Sequence, residues 1–352
     1  MRSFDEVFGY HSTVRAAAPG RVNLLGEHTD YNEGYVLPTT IPQLTRVEAA
    51  LSGSPGYAFY SANLQETVHH LPGQEAPQGF ARYLYGCIEV LRARGDQIPP
   101  VALHVSSDVP IGGGLSSSAA LEVAVLRALR SLFDLQFDDV ELARLAQRAE
   151  IEYAGVRCGI LDQMACSLGD GEHMLFLDTR TLERHLLPLP RPADLIVIDS
   201  GVPRTLAASG YNRRRSECEA AARLLEVAAL RDVTDITRTQ TLPPPLNRRA
   251  RHVVTENNRV LEAVTGVDVV RFGKLMNDSH ASLRDDYEVS IHALDQLVAI
   301  LQQHPDVYGA RLTGAGFGGA CVALAKSGVS ALVKEQVLRA YAESGHRGSV
   351  LV

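Results

Sequence analysis

The sequence predicts a mixed α/β (α+β) protein with two lobes, and three observations support this expectation. The chain has 352 residues, 45% of them hydrophobic and 21% charged, which is more than one hydrophobic core usually organises. Strand-like and helix-like patterns both occur along it, separated by glycine and proline turns. A proline-rich stretch, Pro188–Pro192, divides these patterns, so we expect lobes of residues 1–187 and 188–352.

The first lobe is expected to combine strands with two amphipathic helices. Short apolar or alternating runs predict strands at Val14–Ala18, Leu44–Leu51, Tyr57–Ser61, Val101–Ser106, Met174–Asp178 and Leu186–Leu189. Apolar residues recur at helical spacing from Leu121 to Leu132 and again from Leu142 to Tyr153. Both predicted helices therefore lie between the fourth and fifth strands.

The second lobe should begin with a buried strand at Leu195–Asp199 and should be richer in helix. The predicted helices are Ser209–Val227, Arg248–Val264, Val269–Leu283, Ile291–Gln303 and Ser330–Ser344, and the remaining strands are Gly309–Leu312 and Ala320–Ala325. The arginines Arg213–Arg215, near the start of the first of these helices, are expected to be solvated.

Composition narrows the classes of function. Asp and Glu number 41 against 34 Lys and Arg, which gives a net charge of -7 and a pI near 6.0. The chain therefore has no basic field that would attract nucleic acid or an anionic membrane. The acidic N-terminal segment lacks the apolar core of a signal peptide, and no apolar run reaches about 18 residues. We expect a cytoplasmic protein with a small-molecule substrate.

The cysteines and lysines exclude further designs. Five cysteines are scattered without a Cys-x-x-Cys pair, which predicts reduced thiols rather than disulfides or a zinc site. Only three lysines occur, at Lys274, Lys326 and Lys334. A P-loop requires a lysine directly after its glycine loop, and a protein kinase requires a strand lysine with a downstream His-Arg-Asp loop. Neither pattern is present.

The glycine-rich segment Pro110–Ala120 lies between a predicted strand and a predicted helix. Its glycines, Gly112–Gly114, would let the backbone approach a bulky anion. Its serines, Ser116–Ser118, would place hydroxyls and unpaired N–H groups beside the positive end of the helix dipole. This arrangement predicts phosphate binding without lysine; the alternative is an ordinary strand-to-helix turn with a serine N-cap.

Two other segments combine polar residues with glycines. Pro19–Tyr31 holds a cation, two carboxylates, an imidazole and an amide, which suits a polyol with several hydroxyls, although a solvated polar loop is the alternative. Leu312–Gly319 matches the spacing G-x-G-x-x-G. A predicted strand follows it where a dinucleotide fold requires a helix, so we expect either a strand-connecting turn or backbone that closes over an active site.

In this order, the three segments resemble those of the galactokinase branch of the GHMP small-molecule kinases, and the resemblance extends from Arg15 to Ala325. Gly20–Tyr31 is similar to the galactokinase signature, whereas Gly112–Ser118 is shared with mevalonate and homoserine kinases. Cys158–Gln163 and Tyr211–Glu219 also agree, while Asp199–Gly201 departs from the family's usual Asn-Ser-Asn-like turn.

The resemblance implies a two-lobed GHMP-kinase-like architecture with the active site in the cleft between the lobes. It implies ATP-dependent phosphorylation of α-D-galactose at the anomeric hydroxyl, which gives galactose 1-phosphate and ADP. Kinases for N-acetylgalactosamine, galacturonate or arabinose remain alternatives, as does a regulatory protein that binds sugar and ATP without turnover. We expect a monomer.

The resemblance also assigns residues. Asp162 is the expected catalytic aspartate, with Arg21 beside it to stabilise the transferring phosphoryl group. A neighbouring guanidinium stabilises the carboxylate anion and weakens it as a base. Two roles therefore stay open: Asp162 removes the proton early, or it only orients the hydroxyl and accepts its proton late. Magnesium is expected on Ser118 and Glu150.

Substrate contacts are implied in the same way. The expected galactose contacts are Glu27, His28, Thr29, Asp30, Gly159, Asp162 and Tyr211, and the expected ATP contacts are Ser61, Gly112, Gly113, Gly114, Leu115, Ser116, Ser117 and Ser118. The alternatives are a buried helix cap for Asp162, a structural loop histidine for His28, and one solvated helix acid beside Arg148 and Glu152 for Glu150.

Overall fold

The computed structural model describes residues 2–203 and 207–352, and the chain divides into two compact units that interleave in sequence. The first unit extends to Arg21 and includes Thr40–Pro110 and Ser116–Leu168. The second unit comprises Val22–Thr39, Ile111–Leu115 and Gly169–Val352. Because each unit combines several separate segments, neither corresponds to one of the expected lobes. The division into lobes of residues 1–187 and 188–352 stays a prediction.

The strands of the first unit confirm the four predicted runs, lengthen some of them and include one, Glu66–His70, that was not predicted. They are β1 (Val14–Leu25, to Arg21 in this unit), β2 (Tyr35–Leu51, from Thr40), β3 (Tyr57–Ser61), β4 (Glu66–His70) and β5 (Val101–Ser107). Their order is β4–β3–β5–β2, and β1 pairs with β2. Strands β3 and β5 are parallel, whereas β2 and β4 run antiparallel to their neighbours.

The helices of the first unit pack mainly on one another. They are α1 (Phe4–Phe8), α2 (Ala81–Arg94), α3 (Ser117–Leu132), α4 (Asp139–Ala149) and α5 (Leu161–Leu168). Helices α2, α3 and α4 contact each other, and α5 packs on α3 and α4. Helix α4 continues into a π-helical turn, Glu150–Ala154, so the predicted helix from Leu142 to Tyr153 spans two kinds of helical backbone.

Three helices of the first unit, α1, α2 and α5, were not predicted. Helix α1 has only five residues, and its Phe4 packs on Ala50, Ala58 and Ala102 of the sheet. Helix α2 carries Gly86 in its interior, which lowers helix propensity. A Cβ at that position would lie 3.1 Å from the Tyr153 side chain, so close packing explains the glycine.

The second unit contains the first part of β2 and two further groups of strands. Strands β6 (His173–Asp178) and β7 (Arg184–Pro188) pair with each other, and Tyr35 of β2 lies opposite Asp178. The strands β8 (Ala193–Asp199), β9 (Val307–Leu312), β10 (Ala320–Lys326) and β11 (Ser349–Val350) form an antiparallel sheet in the order β11–β8–β10–β9.

Five helices accompany that antiparallel sheet among the described residues, as the hydrophobic periodicity predicted. They are α6 (Ala207–Leu224), α7 (Leu246–Ala263), α8 (Val269–Asp285), α9 (His292–Gln303) and α10 (Ser330–Glu343). Helices α8 and α9 contact β9, and α10 contacts β8. The shared core includes Ile196, Leu312, Leu294 and Val337, which are apolar side chains from both layers.

Arg214 contradicts the expectation of a solvated arginine group on α6. Its side chain is buried, and it donates to the carbonyl oxygens of Tyr287 and Glu288 at 2.6 and 2.8 Å. These carbonyls compensate the buried guanidinium, which local sequence cannot show. Arg213, in contrast, is 72% exposed.

Across the described part of the chain, no helix is both long and apolar enough to cross a bilayer.

Candidate active site

Arg21 and Asp162, which are 141 residues apart in sequence, form an ion pair within the first unit. Arg21 is buried on β1, and Asp162 lies in the first turn of α5 with its side chain 31% exposed. Arg21 Nε and Nη2 donate to Asp162 Oδ1 at 2.7 and 2.5 Å. Both bonds go to Oδ1. The other oxygen, Oδ2, accepts no hydrogen bond from any residue that the structure describes.

This geometry does not fit the alternative of a buried helix cap for Asp162. A cap would be buried and would accept from backbone N–H groups of the helix. Instead, a rigid buried guanidinium fixes one carboxylate oxygen and leaves the other open toward a partly exposed surface. A carboxylate held in this way can orient a hydroxyl group and accept its proton.

The start of α3 has the features of an anion site. Gly112, Gly114 and Ser116 all have positive φ, at 78°, 84° and 59°, as expected for a loop whose backbone turns its N–H groups toward one side. Ser116 occupies the N-cap position, yet its hydroxyl makes no capping hydrogen bond. The alternative of a simple serine-capped turn is therefore wrong for Ser116.

Ser116 also supplies an unpartnered polar atom at this helix end. Its Oγ is buried and has no hydrogen-bond partner among the described residues. Buried hydroxyls without partners are rare in folded proteins because they lose their hydrogen bonds to water. A phosphate oxygen beside the N-terminus of α3 would satisfy both this hydroxyl and the free N–H groups of the first helical turn.

Ser118 and Glu150 lie together, as the resemblance implied. Ser118 Oγ donates to Glu150 Oε1 at 2.9 Å, and Gln163 Nε2 donates to Glu150 Oε2 at 2.7 Å. Glu150 is buried, so the alternative of a solvated helix acid is wrong. Arg148 and Glu152 instead form a more exposed pair with each other at 3.2 Å.

The surroundings of Glu150 fit a divalent cation. Its hydrogen-bond partners are a hydroxyl, an amide and the Cys158 thiol, none of which carries a positive charge. Burial raises the pKa of Glu150 to about 7, the main opposing influence being the Ser118 hydrogen bond. A cation would supply the missing charge, and oxygen donors suit magnesium. No group of three or more acidic, histidine or cysteine side chains that could hold a metal occurs in the described ranges.

The segment expected to bind sugar begins where β1 ends in the second unit. Gly26 has φ 91° and turns the chain out of the strand. Glu27 follows, buried, with Oε2 2.8 Å from Arg311 Nη2. The Thr29 hydroxyl lies within hydrogen-bond distance of two backbone carbonyls, Gly26 O at 2.8 Å and Tyr35 O at 2.7 Å, so Thr29 braces the turn. A contact of Thr29 with sugar stays a prediction.

His28 lies in an aromatic cluster of the second unit. Its ring centroid is 5.5 Å from that of Tyr211 and 4.8 Å from that of Tyr287. Nδ1 is 2.9 Å from Tyr31 Oη, and Nε2 is 3.2 Å from Ala315 O. A carbonyl only accepts, so Nε2 carries the proton and Nδ1 accepts from the tyrosine.

The cluster keeps His28 neutral. Burial, reinforced by His252, lowers the pKa of His28 well below its usual 6.5. Both ring nitrogens already contact protein groups, as the alternative of a structural histidine expects. A hydrogen bond from His28 to a sugar would require one of these contacts to be exchanged.

The other expected contacts occupy varied positions. Asp30 begins a short 3₁₀ helix and accepts from the Tyr31 N–H at 3.0 Å, whereas Gly159 is buried in the loop before α5. The Ser61 hydroxyl accepts from the Leu64 N–H at 3.3 Å, closing the turn after β3. The nucleotide role of Ser61 and the sugar roles of Asp30 and Gly159 stay predictions.

The third glycine-rich segment, Thr313–Gly319, is the turn between β9 and β10. A strand follows it, which confirms that it is no dinucleotide-binding motif. Thr313 Oγ1 accepts from the Asn23 N–H at 3.0 Å, and Ala315 O accepts from His28. The turn therefore joins strands, as the first alternative expects, and it also contacts the segment that resembles the galactokinase signature; backbone that closes over an active site stays a prediction.

Several residues around these sites carried no local sequence signal. Glu256, Arg311 and His252 contact the Gly26–His28 segment from positions more than 200 residues away. In the first unit, Glu122 accepts from Gln163, which also donates to Glu150. A lone acid at helical spacing looks like any surface residue, so only burial in the fold distinguishes Glu122.

Three family models match the chain. Residues 2–51 match the galactokinase galactose-binding signature, residues 82–170 match the GHMP kinases N terminal domain, and residues 260–343 match the GHMP kinases C terminal model. Together they cover the first two glycine-rich segments, Glu150, Asp162 and the turn after β9. The three matches occur in the order expected from the sequence.

Known proteins resemble the chain over nearly its full length. The galactokinase of Roseiflexus sp. (strain RS-1) is 41% identical over 363 residues, covering 99% of this chain and 92% of the relative. The galactokinase of Thermotoga maritima is 42% identical over 334 residues, covering 93% of this chain and 94% of the relative. The solved structure of Lactococcus lactis galactokinase complexed with galactose has a TM-score of 0.92 at 35% identity, covering 99% of this chain and 95% of that one.

Proposed function

The chain belongs to the galactokinase branch of the GHMP kinases, and from this premise we propose how its residues perform the reaction. The enzyme phosphorylates α-D-galactose at the anomeric hydroxyl with ATP, giving galactose 1-phosphate and ADP. The observation that supports the mechanism best is the Arg21–Asp162 pair, in which one carboxylate oxygen is fixed and the other is open.

Asp162 orients the acceptor hydroxyl through Oδ2. The anomeric oxygen forms a bond to the γ-phosphorus, the bond from that phosphorus to the bridging oxygen breaks, and ADP leaves with the electron pair. The hydroxyl proton passes to Asp162 and later to solvent. Because Arg21 stabilises the carboxylate anion and a loose transition state needs little early deprotonation, we assign Asp162 a late transfer.

Arg21 supplies fixed positive charge at the reacting group. Its guanidinium is held by Asp162 and buried, so it needs no reorganisation as negative charge shifts during transfer. This role replaces that of the lysine in a P-loop, which this sequence lacks. The N-terminus of α3 and the Gly112–Ser118 loop bind the phosphates of ATP.

Magnesium would be held by the Ser118 hydroxyl and the Glu150 carboxylate, and when bound it would neutralise charge on the β- and γ-phosphates. The Ser118 hydroxyl can keep its hydrogen bond to Glu150 and still present oxygen lone pairs to a metal ion. Gln163 holds the second oxygen of Glu150. These contacts fix both oxygen donors before any ion binds.

Galactose is bound by the Glu27–Asp30 segment and Tyr211. Their carboxylates can accept hydrogen bonds from several sugar hydroxyls, and the aromatic ring can cover an apolar sugar face. We further propose a cytoplasmic protein, since the reaction consumes ATP, which cells make and keep inside the membrane. The monomeric state stays a prediction.

A panel of sugars tests the function directly. Purified chain is incubated with MgATP and with galactose, N-acetylgalactosamine, galacturonate, arabinose or glucose, while ADP release and the phosphorylated product are measured. We expect turnover with galactose at least about tenfold above each alternative in kcat/KM. Turnover with another sugar but not galactose would overturn the substrate, and sugar binding without any ADP release would indicate a regulatory protein instead.

A further inference from the structure

Three fully buried side chains of the second unit contact the Gly26–Glu27–His28 segment. Glu256 and His252 come from α7, and Arg311 comes from β9. Each has 0% exposed surface. Fully buried charged residues are rare and costly unless they are paired. The partners of these three side chains therefore indicate what they do.

Glu256 accepts the backbone N–H groups that β1 leaves unpaired. Its Oε1 lies 2.8 Å from Gly26 N and 3.3 Å from Glu27 N. The Ser279 hydroxyl donates to the same oxygen at 2.7 Å, while Arg259 Nε donates to Oε2 at 2.7 Å. The carboxylate thus replaces the strand partner that the chain loses at Gly26, where φ is 91°.

His252 and Arg311 hold the remaining polar groups of Glu27. His252 Nε2 donates to the Glu27 carbonyl at 3.0 Å, and this bond sets the tautomer because a carbonyl only accepts; Nδ1 lies 2.9 Å from the Ser282 hydroxyl. Arg311 Nη2 donates to Glu27 Oε2 at 2.8 Å, and its Nη1 lies 3.4 Å from Asn23 O. The N–H, the carbonyl and the carboxylate of Glu27 are all fixed from outside the segment.

The charges of this cluster balance. Glu27 and Glu256 face Arg311 and Arg259, and Arg311 Nη1 is 3.8 Å from Glu256 Oε1. Burial alone would raise the pKa of Glu256, but Arg259, Arg311 and His252 outweigh it and hold that pKa well below its usual 4.5. Glu256 therefore stays ionised and accepts hydrogen bonds.

We propose that Glu256 and Arg311 are positioning residues that fix the Glu27 carboxylate for recognition of galactose hydroxyls. The proposal rests on the proposed function, because it concerns the sugar that this segment binds. A carboxylate held in one rotamer loses little entropy when a hydroxyl group binds to it. Neither Glu256 nor Arg311 needs to touch the sugar.

Two variants separate positioning from folding. In Glu256→Gln, the amide keeps one acceptor oxygen but must turn its NH2 group either toward the Gly26 and Glu27 N–H groups or toward Arg259, which all need an acceptor. In Arg311→Lys, the charge remains, but one ammonium cannot reproduce the planar fork that spans Glu27 and Asn23. The matched control is Arg249→Lys, which changes a buried arginine on α7, the helix of Glu256. Among the described residues, Arg249 bonds Glu217, Glu288 and the Asp286 carbonyl.

For each protein we measure KM for galactose and for ATP, kcat, galactose affinity by calorimetry, and the urea midpoint. We expect KM and the dissociation constant for galactose to rise about tenfold or more in Glu256→Gln and Arg311→Lys, as for the loss of a charge-assisted hydrogen bond. The KM for ATP should stay within about twofold. Arg249→Lys should lower the urea midpoint without changing either KM.

The outcomes separate this inference from the proposed function. Wild-type protein that does not phosphorylate galactose would contradict the proposed function. Active wild type whose variants lose urea stability while keeping a normal galactose KM would overturn the positioning role. If neither variant folds, amide exchange in the wild type decides: the Gly26 and Glu27 amides should exchange slowly without galactose, and rapid exchange would overturn the inference.

Discussion

At the residue scale, three buried glutamates show that the partner decides the charge state. Burial raises the pKa of Glu122 well above its usual value, and it raises that of Glu150 to about 7. Glu256 is equally buried, yet two arginines hold its pKa low. Glu122 and Glu150 have only amide, hydroxyl and thiol partners. The surroundings of Glu256 and Glu150 therefore differ: the charge of Glu256 is balanced within the protein, whereas the site of Glu150 suits an added cation.

Replacement of Asp162 tests the residue that should contact the acceptor hydroxyl. Asp162→Asn keeps the size and one oxygen but cannot accept the proton. We expect kcat to fall at least about 100-fold, the lower end of acid–base contributions, while galactose still binds. Steady-state ADP release and calorimetric titration with galactose measure the two effects.

The control for this variant is a second arginine–aspartate pair in the same unit. Arg94 donates to both oxygens of Asp96 at 2.8 and 2.9 Å, beyond the end of α2. Asp96→Asn should leave kcat unchanged. Near-normal turnover by Asp162→Asn would refute the proposed role, and loss of galactose binding would show that Asp162 serves recognition as well.

At the element scale, the Thr313–Gly319 turn illustrates why glycine recurs beside a site. Gly314, Gly316, Gly318 and Gly319 have φ between 76° and 126°, in the region that L side chains rarely adopt. A Cβ on Gly316 would also overlap the carbonyl oxygen of Val289. The turn can hold Ala315 O against His28 only if the backbone approaches this closely.

A pair of alanine substitutions tests this turn. Gly316→Ala combines a left-handed φ with a steric overlap, so we expect unfolding free energy to fall by roughly 2–4 kcal/mol and the galactose KM to rise. Gly328→Ala has a similar φ of 83° but meets nothing within 4 Å, so it should cost roughly 1 kcal/mol. Urea unfolding and galactose kinetics compare them.

The comparison separates strain from position. If both variants lose the same stability and neither changes the galactose KM, the overlap at Gly316 is unimportant and the turn acts only as a connection. If Gly316→Ala alone affects galactose, the turn contributes to the sugar side of the site. A normal Gly316→Ala protein would contradict the packing described for Val289.

At the scale of the whole molecule, the thiols report how tightly both units are packed. Cys87, Cys166, Cys218 and Cys321 are at most 1% exposed, and burial raises the pKa of each thiol. Cys158 is the more accessible fifth. Thiolates react and thiols do not, so burial should protect most of the cysteines.

DTNB titration measures that protection. In the native protein we expect one fast thiol, Cys158, and slow reaction of the others, whereas guanidinium chloride should release all five. Cys158→Ser should remove the fast phase. Fewer than five thiols in denaturant would reveal a disulfide, and five fast thiols in buffer would contradict the packed cores of both units.

Local pattern was sufficient for most of the elements. Strand β3 was predicted with its observed bounds, and α8, α9 and α10 were predicted to within two residues, because their apolar spacing is strong and their turns contain glycine or proline. Short or glycine-bearing elements were missed, such as α1 and α2. Their stability depends on packing partners that lie far along the chain.

The sequence by itself determined the family and the reaction, because three glycine-bearing segments carry that information in contiguous residues, and it predicted the principal site residues. Only the tertiary structure decided which charges are buried. It showed that Arg214 is buried and that Glu150 is not a solvated helix acid. It also placed Glu256 against the backbone of Gly26 and Glu27, and Arg311 against the Glu27 carboxylate. Burial and pairing arise from residues distant in sequence, and the energy of a charge depends on both.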